Sequence, residues 1–281
     1  CIRDSNSGNL AFAVYGYMNR GEHEGEVGVG IYYFDVERNL IQEKAFIPSK
    51  KSYAIAADEL GKMVYYNHAE EQLYVLADGT LYQVDLKKNK QTTLAENLKE
   101  GQYAVSDDGH LMAYQSEGDK SGGTVIQVMN LSSLETNTVE AASGEKISPL
   151  GFVNGDFIYG KMKSEDAGKK ASGESITPMY ELEIRNSKNK KVASYSFVDK
   201  GIYISDILID DNMVTLNRVE KSGDIYNVTS QEFITNNEER KDTAIKIEVY
   251  TTALMEKQMR ITFAEGAGEK SVKVIRPNQL A

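Results

Sequence analysis

A turn followed by a short apolar strand recurs five times along this chain of 281 residues. The five copies read DSNSGNLAFAVYG, ADELGKMVYYN, SDDGHLMAYQS, FVNGDFIYGK and IDDNMVTLNR. Their turn residues, which lie 46 to 57 residues apart, are Gly8, Gly61, Gly109, Gly155 and Asn212. Glycine or asparagine suits such positions because a tight hairpin requires a positive φ, which a Cβ makes costly. The spacing therefore predicts five structural repeats.

A second element follows in phase, a strand that ends in Asp or Asn before a polar turn. It reads IYYFDVERN, LYQVDLKKN, IQVMNLSSL, LEIRNSKNK and, more loosely, IEVYTTALM. Its anchors, spaced 45 to 56 residues apart, are Asp35, Asp85, Asn130 and Asn186. Four strands and three turns need about 40 to 50 residues, the length of a β-propeller blade. The two series together predict one blade per repeat.

The strand cores agree with this interpretation, because both of their faces are apolar. In the first repeat Leu10, Phe12 and Val14 alternate with Ala11, Ala13 and Tyr15. A sheet packed between two neighbours needs apolar residues on both faces. We therefore expect an all-β fold, a β-propeller of about five blades of four antiparallel strands, that forms a single domain over residues 1–281. The expected repeats span residues 4–52, 53–101, 102–147, 148–199 and 200–265.

The ends of the chain leave two arrangements open. The chain begins at the turn of the first repeat, so that repeat lacks one strand, whereas residues 271–277 form a spare apolar strand. If that strand pairs beside residues 10–15, the ring closes with five blades. Otherwise the chain belongs to a ring with more blades, and one edge would be left unpaired.

The third repeat carries a family resemblance. YAVSDDGHLMAYQS followed by TVIQVMNLSSLETNTV resembles the repeat of TolB-type propellers, in which a Ser-Pro-Asp-Gly turn precedes an apolar strand. Ser106, Asp108 and Gly109 match that turn, and Asp107 stands where the family has proline. The other repeats keep the rhythm with degenerate turns. The resemblance implies a bacterial extracytoplasmic propeller and leaves the function open, since propellers host unrelated tasks.

Two segments depart from the rhythm of the repeats. Residues 163–179 are polar, small and charged, which predicts a mobile loop inserted between two strands of the fourth blade. Residues 220–244 contain Thr229 and Glu232 at the spacing of a capping box, which predicts a short helix that ends near Asn236.

Composition excludes several classes of function. The formal charge of −10 disfavours nucleic acid as a partner, because binding to phosphates needs clustered cations. No apolar run approaches the length of a membrane span. The only cysteine is Cys1, which rules out an internal disulfide and a thiolate metal cage. Cys1 is either the lipid-anchored start of a mature bacterial lipoprotein or the point where a longer chain was cut.

The segment GYMNRGEHEGEVGVG lies between the first two predicted strands and forms a long hairpin loop, residues 16–27. As a ligand site, it would bind an anionic or polar ligand at one mouth of the propeller. As a plain loop, its glycines serve turns and its charges keep it solvated. The candidate ligand-binding residues are Tyr17, Asn19, Arg20, His23 and Glu24.

Catalytic and metal signatures are weak throughout the sequence. The three histidines, His23, His68 and His110, lie far apart and lack ligand spacing, so no metal and no cofactor is predicted. No Gly-x-Ser-x-Gly motif occurs, and no catalytic residue is assigned. Carboxylate pairs are uninformative among 42 acidic residues. The lack of tryptophan disfavours a glycosidase, although the 17 tyrosines could supply the flat aromatic platform that sugar clefts commonly use.

We therefore expect a non-catalytic binding module of a bacterial cell-surface or secreted protein. Its partner would be a protein or a small polar ligand, and the sequence does not identify it. The alternative is a carbohydrate-active or peptidase-associated propeller with an active site at the channel mouth. An enzyme of that kind would bring carboxylates with shifted pKa values together in one pocket.

Overall fold

The structure, a computed structural model, describes residues 2–4, 9–119, 122–210, 212–235, 245–251, 257–263 and 273–274. Most of these residues lie in strands, and one α-helix occurs among them. The all-β class expected from the sequence is confirmed. The chain divides into two compact units: unit 1 comprises residues 1–77, 83–92 and 239–281, and unit 2 comprises residues 78–82 and 93–238.

The elements follow one another in chain order. The first part of the chain contains β1 (Ile2–Asp4), β2 (Leu10–Tyr17), β3 (Val27–Asp35), β4 (Leu40–Pro48), α1 (Tyr53–Lys62), β5 (Val64–Asn67), β6 (Gln72–Ala77), β7 (Thr80–Asp85) and β8 (Lys90–Ala95). Next come β9 (Tyr103–Val105), β10 (Leu111–Asp119), β11 (Gly122–Asn130), β12 (Thr136–Glu140), β13 (Glu145–Val153), β14 (Asp156–Lys163), β15 (Gly168–Lys170), β16 (Ser175–Ile176), β17 (Met179–Arg185) and β18 (Lys191–Ser196). The last strands are β19 (Ile202–Asp210), β20 (Met213–Ser222), β21 (Ile225–Val228), β22 (Glu232–Thr235), β23 (Ile245–Thr251), β24 (Lys257–Phe263) and β25 (Lys273–Val274).

Unit 1 contains a five-stranded sheet in the order β1-β2-β3-β4-β25. Strands β1 to β4 are antiparallel, and residue Phe12 lies opposite Tyr32 in the pairing of β2 with β3. Alternate residues of β2, Ala11 and Ala13, are fully buried on one face of this sheet. Strands β23 and β24 form a separate two-stranded antiparallel sheet.

The closing strand expected at residues 271–277 is described at residues 273–274 as β25. It pairs parallel with residues 40–41 of β4 and not beside residues 10–15. The expected position is taken, because β1 pairs antiparallel with β2 and brings Ile2 opposite Phe12. The sheet of the first repeat thus already has a strand beside β2, contrary to the expectation that this position is open.

Unit 2 contains a fourteen-stranded mixed sheet built from consecutive antiparallel runs. The first run is β9 to β12, the second is β13, β14, β17 and β18, and the third is β19, β20 and β22. The runs join through single residue pairs, Gly123 with Ile147 and Met179 with Ile204. Two apolar clusters fill the sheet faces, one around Ile126 and Phe157 and one around Leu182 and Leu216.

The predicted hairpin turns agree with the structure where their backbone is described, with one exception. Gly109 and Gly155 adopt φ values of 76° and 83°, as a tight turn requires. Asn154, with φ 50°, completes a two-residue connection between the paired residues Val153 and Asp156. Asn212 lies between the paired residues Asp210 and Met213, and Gly8 lies outside the described residues.

Gly61 is the exception, because it lies in α1 and not in a hairpin turn. The segment YAIAADEL is rich in Ala, Leu and Glu, which are strong helix formers. Its buried residues Ala56, Glu59 and Leu60 recur at the spacing of one helix face. Gly61 favours a turn by local preference, but it lies near the end of a helix of ten residues.

The second series of anchors is confirmed as a set of side-chain-capped turns. At each anchor the side-chain Oδ1 accepts backbone N–H groups two to four residues further on. The N–H donors lie 2.8 to 3.1 Å from the accepting oxygen. They are Arg38 for Asp35, Lys87 and Lys88 for Asp85, Ser132 and Ser133 for Asn130, and Lys188 and Lys190 for Asn186. A residue with positive φ closes each turn, namely Asn39, Asn89, Leu134 and Asn189. These are Asx turns, in which the side chain replaces a backbone acceptor.

The two irregular segments differ from expectation. Residues 163–179 are an insertion between β14 and β17, as predicted, but they contain the hairpin β15–β16, and β15 pairs parallel with β21. The helix predicted from Thr229 is wrong, since residues 232–235 form strand β22. Pairing of β22 with β20 places Ile234 opposite the buried Val214, so burial of apolar residues outweighs the local capping signal.

The Asx turns predict a measurable stability difference at Asn130. Replacing Asn130 with alanine removes the acceptor for two N–H groups and should lower the free energy of unfolding by about 1 kcal/mol. Asn130→Asp keeps the acceptor oxygen, as Asp35 and Asp85 show, and should remain close to the parent protein. Urea unfolding of both variants measures this, and equal losses in the two would contradict the cap.

In the turn that resembles the TolB repeat, we expect the pKa of Asp108 to lie below that of an ordinary aspartate. Partial burial acts to raise the pKa of Asp108, but hydrogen bonds from His110 and Ser106 at 2.6 and 2.7 Å outweigh burial and lower the pKa to about 2. Because the folded pKa lies below the ordinary 3.8, this turn stabilises the fold above about pH 4 and loses that contribution as pH falls towards 2. Carboxyl NMR titration should show this low pKa, and His110→Ala should raise it. An ordinary value in the parent protein would contradict the arrangement.

Candidate functional site

The loop predicted as a ligand site joins β2 and β3 and is ordered by its own backbone. Tyr17 pairs with Val27, and the loop between them is closed by the N–H of Met18 donating to Glu26 O at 2.8 Å. Gly21 and Gly25 adopt φ values of 96° and 89°. These two glycines therefore serve turns, as the plain-loop interpretation expected.

Four of the five candidate residues lie exposed around this loop. Tyr17 is 64% exposed, and Asn19, Arg20 and Glu24 are also exposed. Over the described part of the chain, no hydrogen bond or ion pair links their side chains to His23. Since residues alternate between faces in a strand, Tyr17 belongs to the face of β2 opposite to Val14 and Gly16. The grouping of the five as one site stays a prediction.

His23 is the candidate residue that the structure places in a defined environment. Its ring stacks on Phe46, with centroids 4.2 Å apart and planes inclined by 17°. Its Nδ1 lies 3.3 Å from Glu26 Oε2, and its Nε2 lies 3.9 Å from Glu43 Oε1. The imidazole is therefore oriented by one ring contact and two carboxylates.

Gly28 and Gly30 of β3 lack side chains, so aromatic rings can lie close to the backbone of the five-stranded sheet. A Cβ on Gly28 would clash with Ile47 O and come within 2.6 Å of the Phe46 ring. A Cβ on Gly30 would come within 2.7 Å of the Tyr32 ring. Glycine inside a strand often marks such a close approach.

These contacts place four rings on one face of the first sheet. Phe12 stacks on Tyr32, with centroids 5.4 Å apart and planes inclined by 19°. Cross-strand pairing of Val14, Gly30 and Phe46 shows that their side-chain positions share this face. We name the set Phe12, Tyr32, Phe46 and His23 the aromatic strip. Its members are half-buried, and the neighbouring Val14 is 46% exposed.

Sequence reasoning found His23 but missed the other three rings. The signal was present as VGVGIYYF, where Gly28 and Gly30 alternate along a strand. Glycines at alternate positions inside a strand mark places where a ring can approach the backbone. Phe46 lies on the next strand, and nothing in the sequence alone reveals its contact with His23.

The charges around the strip disfavour an anionic ligand. Glu26 and Glu43 flank the imidazole, and the loop carries Glu22 and Glu24 against the single cation Arg20. The two ring nitrogens of His23 face different carboxylates. Within the described ranges no group of three or more His, Cys, Asp or Glu residues is placed to hold a metal ion.

Unit 2 contains a second charged cluster, whose centre is buried. Glu183 has a side-chain exposure of 3% and accepts contacts from Lys161 Nζ at 2.6 Å and Arg185 Nε at 2.8 Å. Burial alone would raise the pKa of Glu183, but hydrogen bonds from Lys161, Tyr159 and Arg185 hold it below the ordinary range. Burial of Tyr159, together with the adjacent Glu183, raises its pKa to about 12.

A carboxyl with a lowered pKa is ionised at neutral pH and is a poor proton donor. Glu181, the second carboxylate of this cluster, is likewise bound by lysines, with Lys161 Nζ at 3.2 Å and Lys191 Nζ at 3.5 Å. Both carboxylates therefore form ion-paired links between strands, and Glu183, with its lowered pKa, is not suited to act as a general acid.

Comparison with known proteins leaves the family open. No protein-family model matches the sequence, and no curated protein matches it significantly. Among solved structures, the β-propeller domain of the Trilobed protease from Pyrococcus furiosus is 10% identical, with 93% of this chain and 96% of that chain covered and a TM-score of 0.37. Porphyromonas gingivalis dipeptidyl peptidase 4 is 10% identical, with 94% and 50% covered and a TM-score of 0.30.

Kuenenia stuttgartiensis hydrazine synthase is 12% identical, with 70% and 55% covered and a TM-score of 0.26. The chain thus spans about half the length of the last two proteins. Similarities at these scores assign neither a blade count nor an activity. The described α-helix is too short to cross a membrane, and no other helix that the structure describes is long and apolar enough to do so.

Gly28, which lies against the Phe46 ring, and its cross-strand partner Gly16 should differ in how much stability an alanine substitution costs. Gly28→Ala should lower the free energy of unfolding by about 1 to 3 kcal/mol, because the new Cβ meets backbone as well as the Phe46 ring. Gly16 lies opposite Gly28 and has no described atom within 4 Å of a new Cβ, so Gly16→Ala should be neutral or slightly stabilising. Thermal unfolding of the pair checks this, and equal losses would contradict the close approach.

Proposed function

We propose that this protein is a non-catalytic binding module of a bacterial cell-surface or secreted protein, built as a β-propeller, and that its ligand is a neutral saccharide. The site would be the aromatic strip with Glu26 and Glu43 beside it. One observation carries the proposal: His23 stacks on Phe46 between two carboxylates, on a sheet face that already carries the Phe12–Tyr32 pair.

The chemistry of the strip fits a sugar ring. Aromatic faces offer apolar area to the C–H groups of a pyranose, with the polar edge left free for hydrogen bonds. Carboxylates are acceptors only and can each take hydroxyl donors, while an imidazole can donate or accept. Such a mixture of apolar surface and a few fixed polar groups is typical of small-molecule sites.

The charge balance supports a neutral ligand over an anion. Three loop glutamates and Glu43 surround one arginine and one histidine, so a phosphate or carboxylate ligand would be repelled. This replaces the anionic alternative considered for the loop. Extracytoplasmic placement rests on the TolB-type resemblance and the acidic composition.

Isothermal titration with a panel of neutral mono- and disaccharides tests the proposal. At least one sugar should bind the parent protein, and His23→Ala and Glu43→Gln should each weaken it about tenfold or more, because each removes a fixed hydrogen-bonding group. Glu24→Gln is the matched control, since Glu24 is an exposed glutamate of the same loop.

Two results would contradict this function. The first is that no sugar of the panel binds at millimolar concentration. The second is binding that survives His23→Ala and Glu43→Gln but is lost in Arg20→Ala, which would move the site to the loop tip. Hydrolysis of a bound disaccharide would instead favour the carbohydrate-active alternative.

A further inference from the structure

Unit 2 contains a small cleft that shares no residue with the aromatic strip. Its volume is about 50 Å³, several times the space that one water molecule needs. Its apolar lining includes Leu111, Val128, Phe152 and Phe157. Three of these are nearly buried, with exposures of 7% for Leu111, 7% for Phe152 and 3% for Phe157. The cleft therefore has room for a small branched alkyl group on an apolar floor.

The walls of the cleft are held by hydrogen bonds between two successive strand runs. Asn137 Nδ2 donates to Ser187 O at 3.4 Å, and Asn189 Nδ2 donates to Thr138 O at 3.1 Å. Asn130 and Asn186, which cap two of the Asx turns, also line the cleft. These bonds and caps keep the walls in place without a ligand.

Arg185 lines the same cleft and is held in a fixed orientation. Its Nε donates to Glu183 Oε1 at 2.8 Å, and its Nη1 donates to Asn189 O at 3.3 Å. Its Cζ lies 5.6 Å from the centroid of the Tyr159 ring. The Tyr159 hydroxyl also hydrogen-bonds the guanidinium, and the side chain is 27% exposed. A guanidinium fixed on one side can donate to a carboxylate with its remaining N–H groups.

The local charge also favours an anion here. Lys161, Lys191 and Arg185 surround two carboxylates, Glu181 and Glu183, so this cluster carries one excess positive charge. The protein as a whole carries −10, which makes the cluster a local exception. Glu135 is the carboxylate in the lining of the cleft, and because it is exposed, solvent screens its charge more than that of the half-buried Arg185.

From these observations we infer that the cleft binds a carboxylate that carries a small branched apolar group. The alkyl group would lie on Phe152 and Phe157, and the carboxylate would accept hydrogen bonds from Arg185. A free branched-chain acid and the C-terminal valine of a peptide share this chemistry. The inference is independent of saccharide binding at the aromatic strip, because the two sites share no residue.

Amide-detected NMR of the full chain tests the inference with four probes: isovalerate, isovaleramide, N-acetyl-Ala-Ala-Val and its C-terminal amide. The carboxylates should shift the amide signals of Asn137 and Gly155, and each amide probe should bind roughly tenfold or more weakly, since it lacks the charge-assisted hydrogen bond. Isovalerate binding as tightly as the peptide identifies a free acid as the ligand source. Binding of the peptide acid alone identifies a peptide terminus.

Variants of the lining test separately whether binding needs the charge of Arg185 and whether it needs the empty volume of the cleft. Arg185→Gln and Val128→Phe should each abolish the shifts, the first by removing the donor and the second by filling the cleft. Glu135→Gln should tighten carboxylate binding about twofold or more, because it removes a repelling charge. Lys169→Gln is the control, since Lys169 is exposed, does not belong to the cluster and does not line the cleft. Equal binding of acids and amides, no shift with either acid, or unchanged binding in Val128→Phe would overturn the inference.

Discussion

The side-chain cap at the end of a strand is the interaction on which both candidate sites depend. Asp35, Asp85, Asn130 and Asn186 each hold a turn through one oxygen atom, and a residue with positive φ then closes the turn before the next strand. A cap of this kind sets hairpin register, and a shift of one residue would move every side chain to the opposite face. The turn at Asp35 precedes the strand that carries Phe46. Two further caps, Asn130 and Asn186, line the cleft of unit 2.

The two sites illustrate different uses of the same sheet architecture. On the first sheet, glycines at alternate positions remove side chains so that rings can approach the backbone. In unit 2, a buried glutamate holds Lys161 and Arg185, and the paired charges orient a guanidinium at an apolar cleft. Removing one partner of such a buried pair generally costs more than the pair contributes, because an uncompensated charge remains. The cluster therefore serves to fix the orientation of Arg185 more than to raise the free energy of unfolding.

The accuracy of sequence-based prediction differed between local and non-local features. Turns at Gly109 and Gly155 and the capped turns were predictable because each depends on the backbone preference of a few adjacent residues. The helix Tyr53–Lys62 and the strand Glu232–Thr235 were not. In both segments a local signal, a glycine in one and a capping box in the other, pointed away from the structure that burial of apolar residues favours.

Residue identity alone was enough to establish that the chain is all-β, where most of its hairpins turn and that His23 belongs to a polar loop. Each of these follows from short-range backbone chemistry. The position of His23 between Phe46, Glu26 and Glu43 required the fold, since a bulge between Ile31 and Tyr32 shifts the register so that Glu43 and Phe46 share one face. The contact of Arg185 with Glu183 and the cleft likewise depends on how separate strands pack. Packing of this kind depends on residues distant in the chain, and strand periodicity does not encode it.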